Sequence, residues 1–296
     1  MKMSPISYPV RCSDGFVLEV TMHSSGQPAK AVVQINPATA VTERMYFPFA
    51  EHLVANGFDV VTYNYRGMRK GGPHPKSIKA GFLTWADQDV EAVTQWTAER
   101  YRLVPHLAVG HSFGGHAIGL TAGSQRLSGA VMICSHAGCL RFVRPWSERL
   151  RVAFLLKVLG PLCARSLGFV PGRTLGIGED LPGQVMLDWS RWTSLPRYFF
   201  DDPSTQAIER FRRPNLPILS LGMNDDHWAP AEAIDLLARH FSACDVERRQ
   251  LGPSDSRDRP IGHLGFFRRD HATTLWPVVT QWLEQQTSGE IDAARS

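Results

Sequence analysis

Four short apolar runs rich in β-branched residues, 31-AVVQIN-36, 58-FDVVTYNY-65, 106-HLAVG-110 and 129-GAVMICS-135, alternate with stretches whose apolar residues recur at helical spacing. This alternation constrains the chain strongly. Parallel strands need a crossover connection, usually a helix, and strands buried on both faces read as continuous apolar runs. Of the intervening stretches, 44-RMYFPFAEHLVANG-57 ends on a glycine suited to a helix C-terminus. Another, 84-TWADQDVEAVTQWTAERY-101, carries acids early and Arg100 late, the sense that the helix dipole favours. Upstream, 7-SYPVRC-12 and 16-FVLEVTMH-23 flank Ser13-Asp14-Gly15, a hairpin signal.

From about 140 to 213 the pattern lapses into helices and loops rich in Arg, Leu, Pro and Trp (146, 189, 192), without clear strands. It resumes with strand 217-PILSLG-222, helix 230-PAEAIDLLARHF-241 and strand 245-DVERRQL-251. A last helix is expected over about 270–286, with a polar, flexible tail at 287–296. The expected fold class is therefore α/β: a mostly parallel central sheet with helices on both faces. The core is assigned to 1–140 and 214–286, interrupted by a mainly helical cap at 141–213.

Composition limits the function classes. The chain has 296 residues, 43% hydrophobic and 20% charged, which places it among ordinary globular proteins. Its net charge of +4 comes from scattered basic pairs, such as Arg212-Arg213 and Arg268-Arg269, so no nucleic-acid partner is expected. Five cysteines without a CxxC pair argue against a disulfide framework or a zinc ribbon. The N-terminal MKMSPISYPVRCSDG has no apolar run and is not read as a secretory signal. The segment 152-VAFLLKVLGPLCA-164 is short and broken by Lys157 and Pro161, so no stable membrane insertion is expected. These readings converge on a soluble, cytoplasmic protein.

The chemistry is concentrated at 110-GHSFGG-115, where an apolar run meets a helical pattern. A nucleophile elbow needs a serine on a sharp strand-to-helix turn, with small residues two positions before and after it. Gly110 and Gly114 flank Ser112 in that way. A serine hydroxyl becomes a nucleophile when a histidine takes its proton and an acid fixes that histidine's tautomer. Downstream, 217-PILSLGMNDDHWAP-230 supplies Asp225 and Asp226 just past a strand, and 259-RPIGHLGFFRRDH-271 supplies His263 ahead of the last helix. Counted from Pro230, the rigid end of the loop, Asp226 is the preferred acid and Asp225 the alternative.

GHSFGG, NDDHWAP and IGHLGFF resemble the three catalytic segments of the α/β-hydrolase superfamily, and the chain is similar to predicted members of its serine-aminopeptidase-like branch. YNYRGMRKGG after the strand at 58–65 and the PGRTLGIGEDLP segment of the cap share in this likeness. The resemblance implies an α/β-hydrolase fold with Ser112 as nucleophile, His263 as base and an aspartate at 225 or 226. Many relatives carry His-Gly where this chain has 36-NPATA-40. Pro37 has no N–H, so Ala38 and Phe113 are taken as the oxyanion-hole donors.

Among the other histidines, His111 and His116 are assigned to the core or to a layer behind the site, and His271 to the surface of the last helix. No HExxH or full GxGxxG pattern is present, so neither metal nor cofactor is expected. The leading function is a serine hydrolase acting through an acyl-enzyme on Ser112, on a small-molecule ester, thioester or amide with an apolar acyl part. An acyltransferase using the same three residues is the alternative, and a non-catalytic ligand receptor is a distant third.

Overall fold

The computed structural model describes residues 4–68 and 71–293, with side chains through Thr287. The YNYRGMRKGG stretch includes positions 69 and 70, which lie outside the described residues.

An eight-stranded sheet organises the chain. Its strands are β1 (Ile6–Arg11), β2 (Val17–His23), β3 (Val32–Asn36), β4 (Asp59–Tyr63), β5 (His106–His111) and β6 (Gly129–Ile133). A two-stranded ribbon of β7 (Phe169–Val170) and β8 (Leu181–Pro182) stands apart, and β9 (Pro217–Met223) and β10 (Asp245–Leu251) complete the sheet. The spatial order is β1-β2-β4-β3-β5-β6-β9-β10. The β1–β2 hairpin is antiparallel and β2 meets β4 antiparallel; every later pairing is parallel.

Side chains alternate across the central strands, and each face builds its own core. Leu107 and Val109 of β5 point to a layer holding Phe49 and Leu53 of the helix Phe47–Ala55 and Val279 and Leu283 of the last helix. Ala108 points the other way, towards Trp85, Val93 and Ile118. Full burial of side chains of this size contributes about 1.5–3 kcal/mol each. All six residues of β5 are buried, so this strand lies mid-sheet and its C-terminal end opens into the middle of one edge.

Between β6 and β9 the chain leaves the sheet. It forms a helical run Trp146–Phe154, Leu155–Leu159 and Gly160–Leu167, the middle part a π-turn, and a second helix Gly183–Trp192. Val152, Leu156 and Ala164 face inward, whereas Trp146, Leu150, Phe154, Val158 and Leu162 are exposed, so the first run is apolar on two faces. Sequence reasoning expected no clear strands here, and the β7–β8 ribbon, two residues a side, is the exception.

The last helix is Trp276–Ala293, starting later than expected and covering most of the assigned tail. Pro277 explains the start: proline is tolerated in a helix's first turn and breaks it further in. His271 therefore sits in a 3-10 turn (Arg269–His271) instead of on a helix surface, is 2% exposed, and pairs Nδ1 with Ser256 Oγ at 2.5 Å. Residues 294–296 lie outside the described residues. Among the described residues no helix is long and apolar enough to cross a membrane.

Candidate active site

Strand β5 ends at His111 and the helix Phe113–Leu120 starts at once, leaving Ser112 between them at φ 51°, ψ −112°. A positive φ on a residue with a Cβ costs on the order of 1–3 kcal/mol and persists only where the surroundings over-determine it. They do so here. Ser112 N–H donates to Ile133 O at 2.9 Å. A Cβ on Gly110 would lie 2.5 Å from the Gly114 carbonyl carbon, and one on Gly114 would lie 2.0 Å from Asn36 O. Glycine at both positions lets strand, turn and helix close up, and the serine hydroxyl is what the turn presents.

His263 lies in a short helix, Gly262–Gly265, and its Nε2 stands 3.0 Å from Ser112 Oγ. Its Nδ1 is 2.6 Å from Asp226 Oδ2. A carboxylate only accepts, so Nδ1 carries the proton and Nε2 is free to accept from the serine. Asp226 lies three residues past the end of β9, is 4% exposed, and takes the N–H groups of Trp228 and Ala229 on Oδ1 at 2.9 and 3.1 Å. Burial by itself would raise its carboxyl pKa. The His263 imidazole and the Trp228 N–H outweigh that and hold it well below the ordinary carboxylate range.

Asp225 does something else. Its oxygens accept from Ile261 N–H at 2.7 Å and Gly262 N–H at 3.0 Å, which ties down the backbone just before His263. The structure thus brings Ser112, His263 and Asp226 into one chain and puts Asp225 behind it.

Ala38 requires a correction. Its N–H donates to Tyr46 Oη at 2.8 Å, into the core, and is not available to a substrate oxygen. The next amide, Thr39 N–H, meets no acceptor among the described residues, and Thr39 lines the same cavity as Ser112 and Phe113. Phe113 N–H opens a helix and has no intrahelical acceptor. The sequence shows that Pro37 cannot donate; it does not show which way the following amides turn, because that depends on a tyrosine placed by a different element.

The same tyrosine begins a chain of fixed polarity. The His263 backbone carbonyl accepts from His111 Nε2 at 2.8 Å, so His111 Nδ1 is bare and accepts from Tyr46 Oη at 2.9 Å. Burial lowers the His111 pKa to about 3, keeping the ring neutral. His111 is a core residue as expected, yet it links the Ala38 loop to the backbone of His263. Tyr46→Phe would strip partners from Ala38 N–H and His111 Nδ1, each costing about 1–3 kcal/mol when left buried. Urea unfolding is expected to show that loss; an unchanged midpoint would mean that the chain is not formed.

Cys134 Sγ lies within 4.8 Å of the nearest ligand atoms of Asp226 and His263. Burial pushes its thiol well above the usual range, so it stays protonated, and the thiolate is the metal-binding form.

Ser112 and His263 open into a cavity of about 490 Å³. Its walls include Val41, Met45 and Phe82 from the sheet side and Leu155, Ile177 and Trp189 from the insertion. His116, assigned to the core or to a layer behind the site, reaches this cavity, and His136 and Tyr198, which sequence reasoning did not single out, line it as well. His136 did carry one signal: it follows the C-terminal end of β6, and open α/β sheets bind ligands outside the carboxyl ends of their strands.

A model of the alpha/beta hydrolase family matches residues 37–274. Among solved structures, a soluble variant of monoglyceride lipase from Saccharomyces cerevisiae is 13% identical, with TM-score 0.69 over 97% of this chain and 98% of that one. An esterase from Exiguobacterium antarcticum is 15% identical, with TM-score 0.62 over 94% and 100%. The esterase domain of a Rhodothermus marinus protein is 16% identical, with TM-score 0.60 over 96% and 99%. At these identities the likeness is one of fold. No curated protein matches the sequence.

Proposed function

The chain belongs to the alpha/beta hydrolase family, and from that premise we propose that it is a serine hydrolase cleaving small-molecule carboxylic esters through an acyl-enzyme on Ser112. The observation that carries the reading is the run Ser112 Oγ, His263 Nε2, His263 Nδ1, Asp226 Oδ2, with separations of 3.0 and 2.6 Å at its two hydrogen bonds, at the wall of an open cavity.

In this mechanism His263 Nε2 takes the hydroxyl proton as Oγ bonds to the ester carbonyl carbon. The carbonyl oxygen becomes an oxyanion between the N–H groups of Phe113 and Thr39; such a donor is worth roughly 2.7–4 kcal/mol to the transition state. The bond from carbon to the alcohol oxygen then breaks, and the imidazolium returns its proton to that oxygen. Water, deprotonated by the same Nε2, attacks the acyl carbon; the bond to Ser112 Oγ breaks, the imidazolium returns its proton to Oγ, and the acid leaves. Asp226 remains a carboxylate throughout, fixing the tautomer and stabilising the imidazolium.

The insertion supplies the apolar wall residues Leu155, Ile177 and Trp189, which supports its role as a specificity cap and favours an apolar acyl part. Labelling with a fluorophosphonate and mapping the adduct tests the mechanism: modification is expected at Ser112, and a folded protein left unmodified there refutes it. A series of nitrophenyl esters tests the cap, with kcat/KM expected to rise as the acyl chain lengthens by a few carbons. A steady fall along that series would remove the apolar preference.

A further inference from the structure

Beside the base, the cavity holds polar atoms that the mechanism does not use. His136 Nδ1 lies 3.0 Å from Cys134 O, and His116 Nε2 lies 2.7 Å from His136 O. Carbonyl oxygens only accept, so each of these nitrogens carries its ring's proton. The other nitrogen of each neutral ring, His136 Nε2 and His116 Nδ1, is therefore a bare acceptor. Among the described residues the hydrogen bonds of these rings run through the other nitrogen, and Tyr198 Oη makes none. All three side chains line the cavity, and their polar atoms are not sealed off as Ser135 Oγ and Ser220 Oγ are.

The three residues are 7%, 4% and 3% exposed, so whatever satisfies these atoms enters through the cavity. Burial lowers the pKa of His136 to about 4 and that of His116 to about 3. Near neutral pH both rings are acceptors. Tyr198 adds a hydroxyl that can donate; its ring centroid is 5.7 Å from that of His116, and its backbone sits at φ 57°. Strain of that kind on a non-glycine residue collects at ligand-binding positions. These atoms are left for the contents of the cavity to satisfy, and here three of them converge in one place.

We propose that His116, His136 and Tyr198 form a subsite for a hydroxylated leaving group, so that the substrates are esters whose alcohol part carries at least one free hydroxyl. The inference rests on the serine-hydrolase reading above and adds the class of alcohol. Substrate hydroxyls would donate to the bare imidazole nitrogens and accept from Tyr198 O–H. The alcohol side follows from position. The His136 ring stands edge-on to His263 with centroids 5.5 Å apart, and His263 must hand its proton to the leaving oxygen. A hydroxyl a few bonds beyond that oxygen is the nearest donor to these atoms. The apolar wall formed by Val41, Met45 and Leu155 remains for the acyl chain.

The test compares two esters of one short acid, the hydroxyethyl ester and its isosteric propyl ester, in wild type, His136→Phe and Tyr198→Phe. One hydrogen bond is worth about tenfold at 1.4 kcal/mol. Wild type is expected to prefer the hydroxyethyl ester by about tenfold or more in kcat/KM, and each variant to lose about tenfold of that ratio. The ratio is read within one protein, so a general loss of activity in a variant cancels. A wild-type ratio of one or less overturns the proposal, as does a ratio unchanged in both variants. A preference for an ethyl hydroxyacid ester over its unsubstituted counterpart, with none for the hydroxyethyl alcohol, overturns it by placing the subsite on the acyl side. Should either variant fail to fold, the wild-type ratio still decides. Failure of the underlying mechanism looks different: neither ester is cleaved and Ser112 takes no fluorophosphonate, and this proposal falls with it.

Discussion

Ser112→Ala is expected to remove fluorophosphonate labelling and to cut ester turnover by about four orders of magnitude or more, leaving the unfolding midpoint near that of wild type. Without Oγ no acyl-enzyme forms, and what remains is catalysis by the oxyanion donors and by binding, about 10³–10⁴ over water in comparable triads. The fold should survive because the hydroxyl's one partner among the described residues is His263, at the surface of the cavity. The substitution also keeps a Cβ at φ 51°, so the strain in the turn is unchanged. Ester hydrolysis persisting at the wild-type rate would place the nucleophile elsewhere and end the mechanism proposed here.

Asp226→Asn is expected to lower kcat by about 10⁴, close to the effect of that change in a comparable triad. An amide nitrogen facing His263 Nδ1 would donate where the carboxylate accepts, favouring the wrong tautomer, and the imidazolium would lose its counter-charge. Asp225→Asn is the control. It keeps one oxygen to accept from Ile261 or Gly262 and loses the other, so its cost is expected mainly in stability, about 1.5–3 kcal/mol for a bond to a charged group. Measuring kcat and urea midpoints for both variants separates the roles. A larger fall in kcat for Asp225→Asn than for Asp226→Asn would reverse the assignment.

The two aspartates show how far residue order reaches. Both are acids in a loop after β9, and counting from Pro230 selected Asp226, which the structure places against His263. That count takes a helix start as a rigid marker. For Ala38, chosen because Pro37 has no N–H, the structure turns the amide elsewhere. Its amide direction is decided by Tyr46, contributed by the 3-10 turn Glu43–Tyr46, whose hydroxyl reaches back to meet it. His271 failed in the same way: the helical period continues through it, but Pro277 delays the helix and Ser256 captures the ring in the interior.

The sequence by itself determined the alternation of strands and helices, because a strand buried on both faces and a helix buried on one must write different apolar periods. It also determined the elbow, since a turn in which a Cβ at 114 would strike Asn36 O leaves room for little besides glycine. Only the tertiary structure decided which amide faces the cavity, that Asp225 braces the His263 backbone, and that His116, His136 and Tyr198 meet beside the base. Those outcomes depend on carbonyls and hydroxyls brought in from distant segments: a histidine's free nitrogen is fixed by whatever accepts from the other one, and no local spacing encodes that partner.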